Sequence, residues 1–161
     1  MSAIEVSEAL LSDARMLSEL HGQAMKRAWE AEEMARLLAE SHICALIARE
    51  GAKAQGFVMA SFAADEAEIL MLAVIPLARR RGLGSKLMQA ASALAQKRGV
   101  TKLFLEVSED NAPARRLYAN LAFHEVGRRP RYYMRDLTPP VDALILEKVL
   151  RSGGFKDEEC A

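Results

Sequence analysis

The segment from Leu72 to Ser85 constrains the fold more than any other part of the chain. It reads as a buried strand, a basic turn with two glycines and the start of a helix. At a helix start, backbone N–H groups lack partners and the helix dipole favours negative charge, and Gly82 and Gly84 carry no side chain to keep an anion away. Arg79, Arg80 and Arg81 add positive charge. The segment therefore predicts a site for a pyrophosphate-bearing cofactor.

Two common nucleotide-binding motifs do not fit this turn. A P-loop needs G-x-x-x-x-G-K-[ST], but no glycine stands five positions before Gly84 in the run Gly84-Ser85-Lys86. A Rossmann fingerprint needs a third glycine and an acidic residue that binds the ribose, and only the first glycine pair and a weak match at Glu106 are present. The turn is therefore expected to bind another kind of cofactor.

Length and composition are those of a single globular domain. The chain has 161 residues, of which 51% are apolar, and its 22 basic and 22 acidic residues cancel. We expect one domain over 1–150, a flexible tail over 151–161, a cytoplasmic location, and no binding to nucleic acid or membrane. The scattered His21, His42 and His124 predict no metal site, and Cys44 is expected in the core rather than in a disulfide with Cys160.

Hydrophobic periodicity predicts alternating strands and helices. The first half is expected to hold a short strand, two helices and a three-stranded meander that ends at Val74. A helix from about Leu83 to a C-cap at Gly99 then leads to a buried strand, 102–107, which runs parallel to the strand before the helix. A helix capped by Asp110 or Asn111 follows, and two last strands, 125–133 and 142–148, are expected on either side of Thr138-Pro139-Pro140.

Several motifs in the second half occur together in one known family. Arg79, Gly82 and Gly84 form R-x-x-G-x-G, and Glu106, Asn111 and Leu117-Tyr118 follow. This pattern resembles the GNAT family of N-acetyltransferases. Within the family it is most similar to the ribosomal-protein-alanine N-acetyltransferases, in which segments like 103–107, 123–129 and Tyr132-Tyr133 have this order and spacing. Ala122 stands where glycine is usual.

The resemblance implies an α/β (α+β) fold and a cosubstrate, acetyl-CoA, with no metal. The sheet would be mixed and mostly antiparallel, with six or seven strands, helices on both faces and a splayed central strand pair. The strand at Leu72, Ala73 and Val74 would bind the pantetheine arm and supply an oxyanion N–H. The remaining implied cofactor contacts are Arg79, Arg80, Arg81, Gly82, Leu83, Gly84, Ser85 and Asn111, the last of which also suits a helix cap.

Two side chains have the chemistry that acetyl transfer needs. An α-amino group has a pKa of ~8 and must lose a proton before it attacks a thioester, and the resemblance implies that Glu106 is the base. Tyr118 would donate to the leaving CoA thiolate. The residues alone also allow a structural ion pair of Glu106 with an arginine and simple core packing of the Tyr118 ring.

The acceptor implied by the resemblance is the α-amino group of an N-terminal alanine on a small-subunit ribosomal protein. Trp29, Tyr132 and Tyr133 are candidates for the walls of its slot, although aromatic residues at such places also serve as core. Two alternatives stay open: an acetyltransferase acting on a small amine or on lysine side chains, and a CoA-binding sensor without turnover.

Overall fold

The computed structural model describes residues 2–25, 27–135 and 138–151, and these form four α-helices and seven β-strands. No helix among the described residues has the length and apolar character needed to cross a membrane. In chain order the elements are β1 (Ile4–Glu8), α1 (Ala14–Ala24), α2 (Ala31–Ala39), β2 (Ile43–Glu50), β3 (Lys53–Ala63), β4 (Glu66–Val74), α3 (Leu83–Lys97), β5 (Lys102–Ser108), α4 (Ala112–Asn120), β6 (His124–Arg135) and β7 (Thr138–Val149).

The strands form one sheet in the order β1-β2-β3-β4-β5-β7-β6. Every neighbouring pair is antiparallel except β4 and β5, which the α3 crossover joins in parallel. The expected meander, the parallel pair and the mostly antiparallel sheet of seven strands are confirmed.

Helices cover both faces of the sheet. On one face Val58 and Ala60 of β3 pack near Ala91 and Leu94 of α3. On the other, the α1 ring of His21 meets Phe57 of β3 edge to face, with centroids 6.4 Å apart. Because side chains alternate along a strand, the buried Ile69 and Leu105 share the α3 face, and Glu68 and Glu106 point to the α1 face.

The central pair of strands separates where β4 carries a bulge. Met59 pairs with Met71 and Ala60 with Ile69, so Leu70 has no partner on β3. The β4–β5 pairing runs only from Glu66 with Lys102 to Ile69 with Leu105, although β4 continues to Val74. A bulge bends its strand and increases the local twist, so the two strands diverge beyond Leu70. The predicted splay is therefore present. It opens toward the basic turn of residues 79–84 at the start of α3, which we call the phosphate turn.

Two local predictions are wrong in detail. Thr138-Pro139-Pro140 does not separate the last strands but begins β7. Proline is tolerated there because β7 pairs with β5 only from Ala143 onward, which leaves the first residues of β7 with a single neighbour strand. The C-cap of α3 is Arg98, and Gly99 follows it with φ of 81°. The tail predicted to be flexible lies, beyond residue 151, outside the described residues.

The end of α4 places Tyr118 through a Schellman motif. The Phe123 N–H donates to the Tyr118 carbonyl at 3.0 Å, and the two rings meet edge to face with centroids 5.7 Å apart. Ala122, between them, has φ of 68°, a left-handed conformation that glycine adopts without steric cost. This conformation explains why glycine suits the position where the chain has alanine.

Replacing Ala122 with glycine should stabilise the protein. Ala122 is exposed, so little packing is lost, and relief of the left-handed strain exceeds the added entropy of the unfolded chain. We expect the free energy of unfolding to rise by about 0.5–1 kcal/mol and the melting temperature by about 1–4 °C. The matched control, Ala93→Gly at an exposed site within α3, should lower stability by about 1 kcal/mol. A lower melting temperature for Ala122→Gly would contradict this account.

Candidate active site

A cavity of about 270 Å³ opens on the α1 face of the sheet, beside the point where β4 and β5 separate. Strand alternation directs Glu66 and Glu68 of β4, and Phe104 and Glu106 of β5, to this face. The residues around the cavity are Ser61, Ala63, Glu66, Ala67, Glu68, Phe104, Leu105, Glu106, Arg129 and Ile145. The predicted base therefore faces a space that a small group or a peptide terminus can enter.

The Glu106 carboxylate forms an ion pair within this cavity. Its Oε1 lies 2.8 Å from Nε of Arg129, and its side chain is 20% exposed against 55% for the arginine. The structural alternative for Glu106, a strand-end carboxylate paired with an arginine, is thus realised in this structure. The same carboxylate also faces the cavity, so the pairing and the predicted catalytic role involve the same atoms.

Tyr133 stands close to Glu106, and Tyr118 and Tyr132 stand close to Tyr133. Burial raises the pKa of Tyr133, and the charge of Glu106 adds to the shift. Burial also raises the pKa of Tyr118 to about 12, with a smaller contribution from Tyr133. The rings of Tyr132 and Tyr133 meet edge to face with centroids 5.2 Å apart. Glu106, Tyr118, Tyr132 and Tyr133, predicted separately from the sequence, therefore lie in one cluster, and Tyr118 keeps its hydroxyl proton at neutral pH.

The phosphate turn has the predicted form but uses its arginines unequally. Arg79 donates to the carbonyls of Val74 and Ala24, both at 3.2 Å, and so ties the turn to the ends of β4 and α1. Arg81 forms two hydrogen bonds to the Glu50 carboxylate. Arg80 has φ of 62° and no ion-pair partner within the described part of the chain. Arg80 is thus the arginine best placed to meet an incoming anion.

The backbone of this turn fits a pyrophosphate. Gly82 is the N-cap of α3, with φ of 78°, a conformation that favours glycine. A Cβ on Gly84 would lie 3.2 Å from Cδ2 of Leu117 and 4.0 Å from Cδ2 of Leu72. Gly84 therefore lets α4 and the splayed part of β4 approach the first turn of α3. Leu83 is buried there and Ser85 half-buried, so the turn presents backbone N–H groups to an anion.

Asn111 acts as a helix cap in this structure. It is the N-cap of α4, and its Oδ1 accepts a hydrogen bond from the Ala114 N–H at 3.2 Å. The helix cap, which the sequence analysis gave as the alternative role of Asn111, is therefore present. Its predicted contact with the cofactor stays a prediction, as do those of Leu72, Ala73 and Val74 on the splayed end of β4.

Trp29 is held in place by α1. Its backbone N–H donates to Nδ1 of His21 at 2.9 Å, and its carbonyl accepts from Oγ of Ser18 at 2.7 Å. Burial lowers the pKa of His21, which keeps the ring neutral and Nδ1 available as an acceptor. His21, expected to be structural or on the surface, thus fixes the segment before α2. Trp29 is 41% exposed but is not among the residues that line the cavity, so its predicted contact with the acceptor stays a prediction.

Sequence reasoning missed part of the cavity. The sequence alone does not indicate that Arg129 lies beside Glu106, a position that follows from the pairing of β6 with β7 and of β7 with β5. The alternation of Glu66 and Glu68 with buried residues could have indicated two carboxylates on one face. Among the described residues no group of His, Cys, Asp and Glu could hold a metal ion.

Comparison with known proteins identifies the family. The sequence profile of the acetyltransferase (GNAT) family matches residues 14–123, which cover α1 to the end of the Schellman motif. The chain belongs to the GNAT family. It is accordingly an acetyl-CoA-dependent N-acetyltransferase, and the phosphate turn and splayed strands have the form that the resemblance implied.

Individual relatives agree with this assignment. The chain is 34% identical over 105 residues to [ribosomal protein bS18]-alanine N-acetyltransferase from Escherichia coli (strain K12), covering 65% of this chain and 70% of that protein. It is 30% identical over 129 residues to the protein of that name from Haemophilus ducreyi, covering 73% and 88%. The crystal structure of the ribosomal-protein-S18-alanine N-acetyltransferase from Escherichia coli superposes with a TM-score of 0.87 at 27% identity, covering 96% and 98%.

Replacing Glu106 with glutamine should separate binding from turnover. The amide keeps the shape of the side chain but cannot accept the ammonium proton, so we expect kcat to fall ~10²-fold or more. Acetyl-CoA affinity, measured by calorimetry, should be unchanged because Glu106 faces the cavity on the α1 face, whereas the phosphate turn leads into α3 on the opposite face. The matched control is Glu5→Gln, at an exposed carboxylate of β1 outside the cavity. Unchanged kcat in Glu106→Gln would remove Glu106 from the mechanism.

Proposed function

We propose that this enzyme transfers acetyl from acetyl-CoA to the α-amino group of an N-terminal alanine on a small-subunit ribosomal protein. The observation that carries the proposal is the placement of Glu106, at the divergence of β4 and β5 and facing a cavity on the side opposite α3. Acetyl donor and acceptor would approach it from opposite faces of the sheet. The Escherichia coli and Haemophilus ducreyi relatives are both [ribosomal protein bS18]-alanine N-acetyltransferases, which supports this acceptor.

The donor side would be formed by the phosphate turn and the splayed strand. The N–H groups at the start of α3 and the free Arg80 would neutralise the pyrophosphate. Past the Leu70 bulge, β4 has lost β5 as a partner. Backbone groups of Leu72, Ala73 and Val74 that point away from β3, other than the Val74 carbonyl that accepts from Arg79, would therefore be available to the pantetheine arm. Bound acetyl-CoA supplies the activated acyl group as a thioester.

On the acceptor side, Glu106 would remove a proton from the α-ammonium group. The neutral amine then attacks the thioester carbonyl, a C–N bond forms, the C–S bond breaks, and the electron pair leaves on the CoA sulfur. The nitrogen gives up its second proton to water, and the released thiolate takes a proton from solvent. Because the pKa of Tyr118 is about 12, above the ~8.5 of an ordinary thiol, its hydroxyl would stabilise the thiolate by hydrogen bonding rather than by complete proton transfer.

Recognition of a peptide terminus would depend on the aromatic residues around the slot. Trp29 is exposed and fixed by α1, and Tyr132, 51% exposed, stands beside Tyr133 in β6. Such rings provide large, rigid contact surfaces at low cost in conformational entropy. The proposal includes a cytoplasmic location for the reaction, where ribosomal proteins are made.

The proposal predicts acetylation of the α-amine alone. A peptide that begins with alanine and contains an internal lysine should gain one acetyl group, which tandem mass spectrometry locates on the alanine nitrogen. The matched control is the same peptide with a blocked N-terminus, which should gain none. Acetylation of the blocked peptide would favour a lysine acceptor. Absence of transfer to either peptide, with acetyl-CoA bound, would contradict the proposal and favour a small amine or a sensor.

A further inference from the structure

The ion pair between Arg129 and Glu106 has the arginine on its outer side. Arg129 is 55% exposed, whereas Glu106 is 20% exposed, and both side chains line the same cavity. An acceptor that reaches Glu106 through this cavity therefore comes close to the guanidinium group. When the acceptor covers the cavity, it excludes water, and charge interactions within the cavity become stronger.

The position of Arg129 is built into β6. Arg129 pairs with Ala143 and Tyr133 with Val141, so residues 130–132 of β6 stand opposite Asp142 alone. At this bulge Arg131 has φ of 55°, and its N–H donates to Oδ1 of Asp142 at 2.8 Å. Bulges of this kind direct a side chain toward a site. Here the Arg129 guanidinium lies over the Tyr132 ring, 5.5 Å from its centroid.

A second arginine fixes the same part of the strand. Arg128 donates to Glu125 at 2.9 Å, to Glu109 at 3.0 Å and to Asp142 at 3.2 Å. These contacts connect β6 to β7 and to the loop after β5. Arg129, next in sequence, therefore extends from a braced strand, and its pairing with Glu106 is set by the fold.

We propose that Arg129 is a positioning residue for acetyl transfer. It holds one oxygen of Glu106 and leaves the other for the acceptor, and its positive charge disfavours the ammonium form of an amine bound beside it. This inference rests on the proposed function, because it concerns an amine that arrives protonated. In the proposed step the ammonium proton passes to the Glu106 carboxylate.

The charges around the slot give Arg129 this role. Glu66 and Glu68 of β4 line the cavity with Glu106 of β5. The remaining titratable groups of the site are Tyr118 of α4 and Tyr132 and Tyr133 of β6. The three carboxylates attract the ammonium group but also stabilise its charged form, which cannot attack. Arg129, the cation that lines the cavity, opposes that stabilisation and favours the neutral amine.

The test compares Arg129→Gln, which removes the charge, with Arg129→Lys, which keeps it. The control, Arg131→Gln, makes the same change of charge at an exposed residue of β6 outside the cavity. For each full-length variant, kcat and KM for a peptide beginning with alanine are measured from pH 6 to 9. Calorimetry gives the affinity for acetyl-CoA, and thermal unfolding gives stability.

In Arg129→Gln we expect kcat at pH 7 to fall about tenfold, with acetyl-CoA affinity unchanged. The rising limb of kcat against pH should move up by about one unit, because kcat reports groups in the complex and a cation close to the ammonium has been lost. Arg129→Lys should keep the wild-type limb, and so should Arg131→Gln. A loss of packing alone would not move the limb or be restored by lysine.

Four results would overturn the inference. An unmoved kcat profile in Arg129→Gln, with wild-type transfer intact, would end it while leaving the proposed function standing. A rise in kcat would mean that the guanidinium merely blocks Glu106. An equal shift in Arg131→Gln would mean that net charge, not position, is responsible. Absence of wild-type transfer to any peptide α-amine would remove the inference together with the proposed function.

Discussion

The site depends on the interruption of hydrogen bonding between β4 and β5. Their pairing ends at Ile69 and Leu105, next to the unpaired residue Leu70, while both strands continue. A continuous parallel pair would have closed the centre of the sheet and left no route from the phosphate turn to the cavity. Backbone groups that lose a strand partner must find another one. Backbone groups of β4 therefore lack a partner on β5 at the place where a cosubstrate with amide groups would lie.

Ionic contacts brace the surroundings of this opening. Arg79 ties the phosphate turn to the ends of β4 and α1, and Arg81 ties it to Glu50 at the end of β2. In β6, hydrogen bonds to three carboxylates raise the pKa of Arg128, and the Arg131 N–H, followed by Arg128, lowers the pKa of Asp142. These groups are exposed, so we assign them to the geometry of the turn and of β6 rather than to overall stability.

The sequence predicted the frame of the molecule better than the details of its site. Periodicity and turn residues were enough for the meander, for α3 and for the parallel strand, because those signals are local. Thr138-Pro139-Pro140 was misread because the tolerance of β7 for proline depends on where β5 stops pairing. The ion pair of Arg129 with Glu106 joins β6 to β5 across β7, and no local pattern encodes such a contact. The bulge at residues 130–132 of β6, which directs Arg129, could not be predicted either, because it depends on the pairing of β6 with β7.

The central claim is that acetyl-CoA binds where β4 leaves β5. Backbone hydrogen exchange, followed by mass spectrometry with and without acetyl-CoA, tests it most directly, since exchange slows where amides gain partners. The account predicts slower exchange from Leu70 to Ser85, which spans the splayed end of β4 and the phosphate turn, and no change in β1 and β2. Binding of acetyl-CoA without slower exchange in that segment would contradict it.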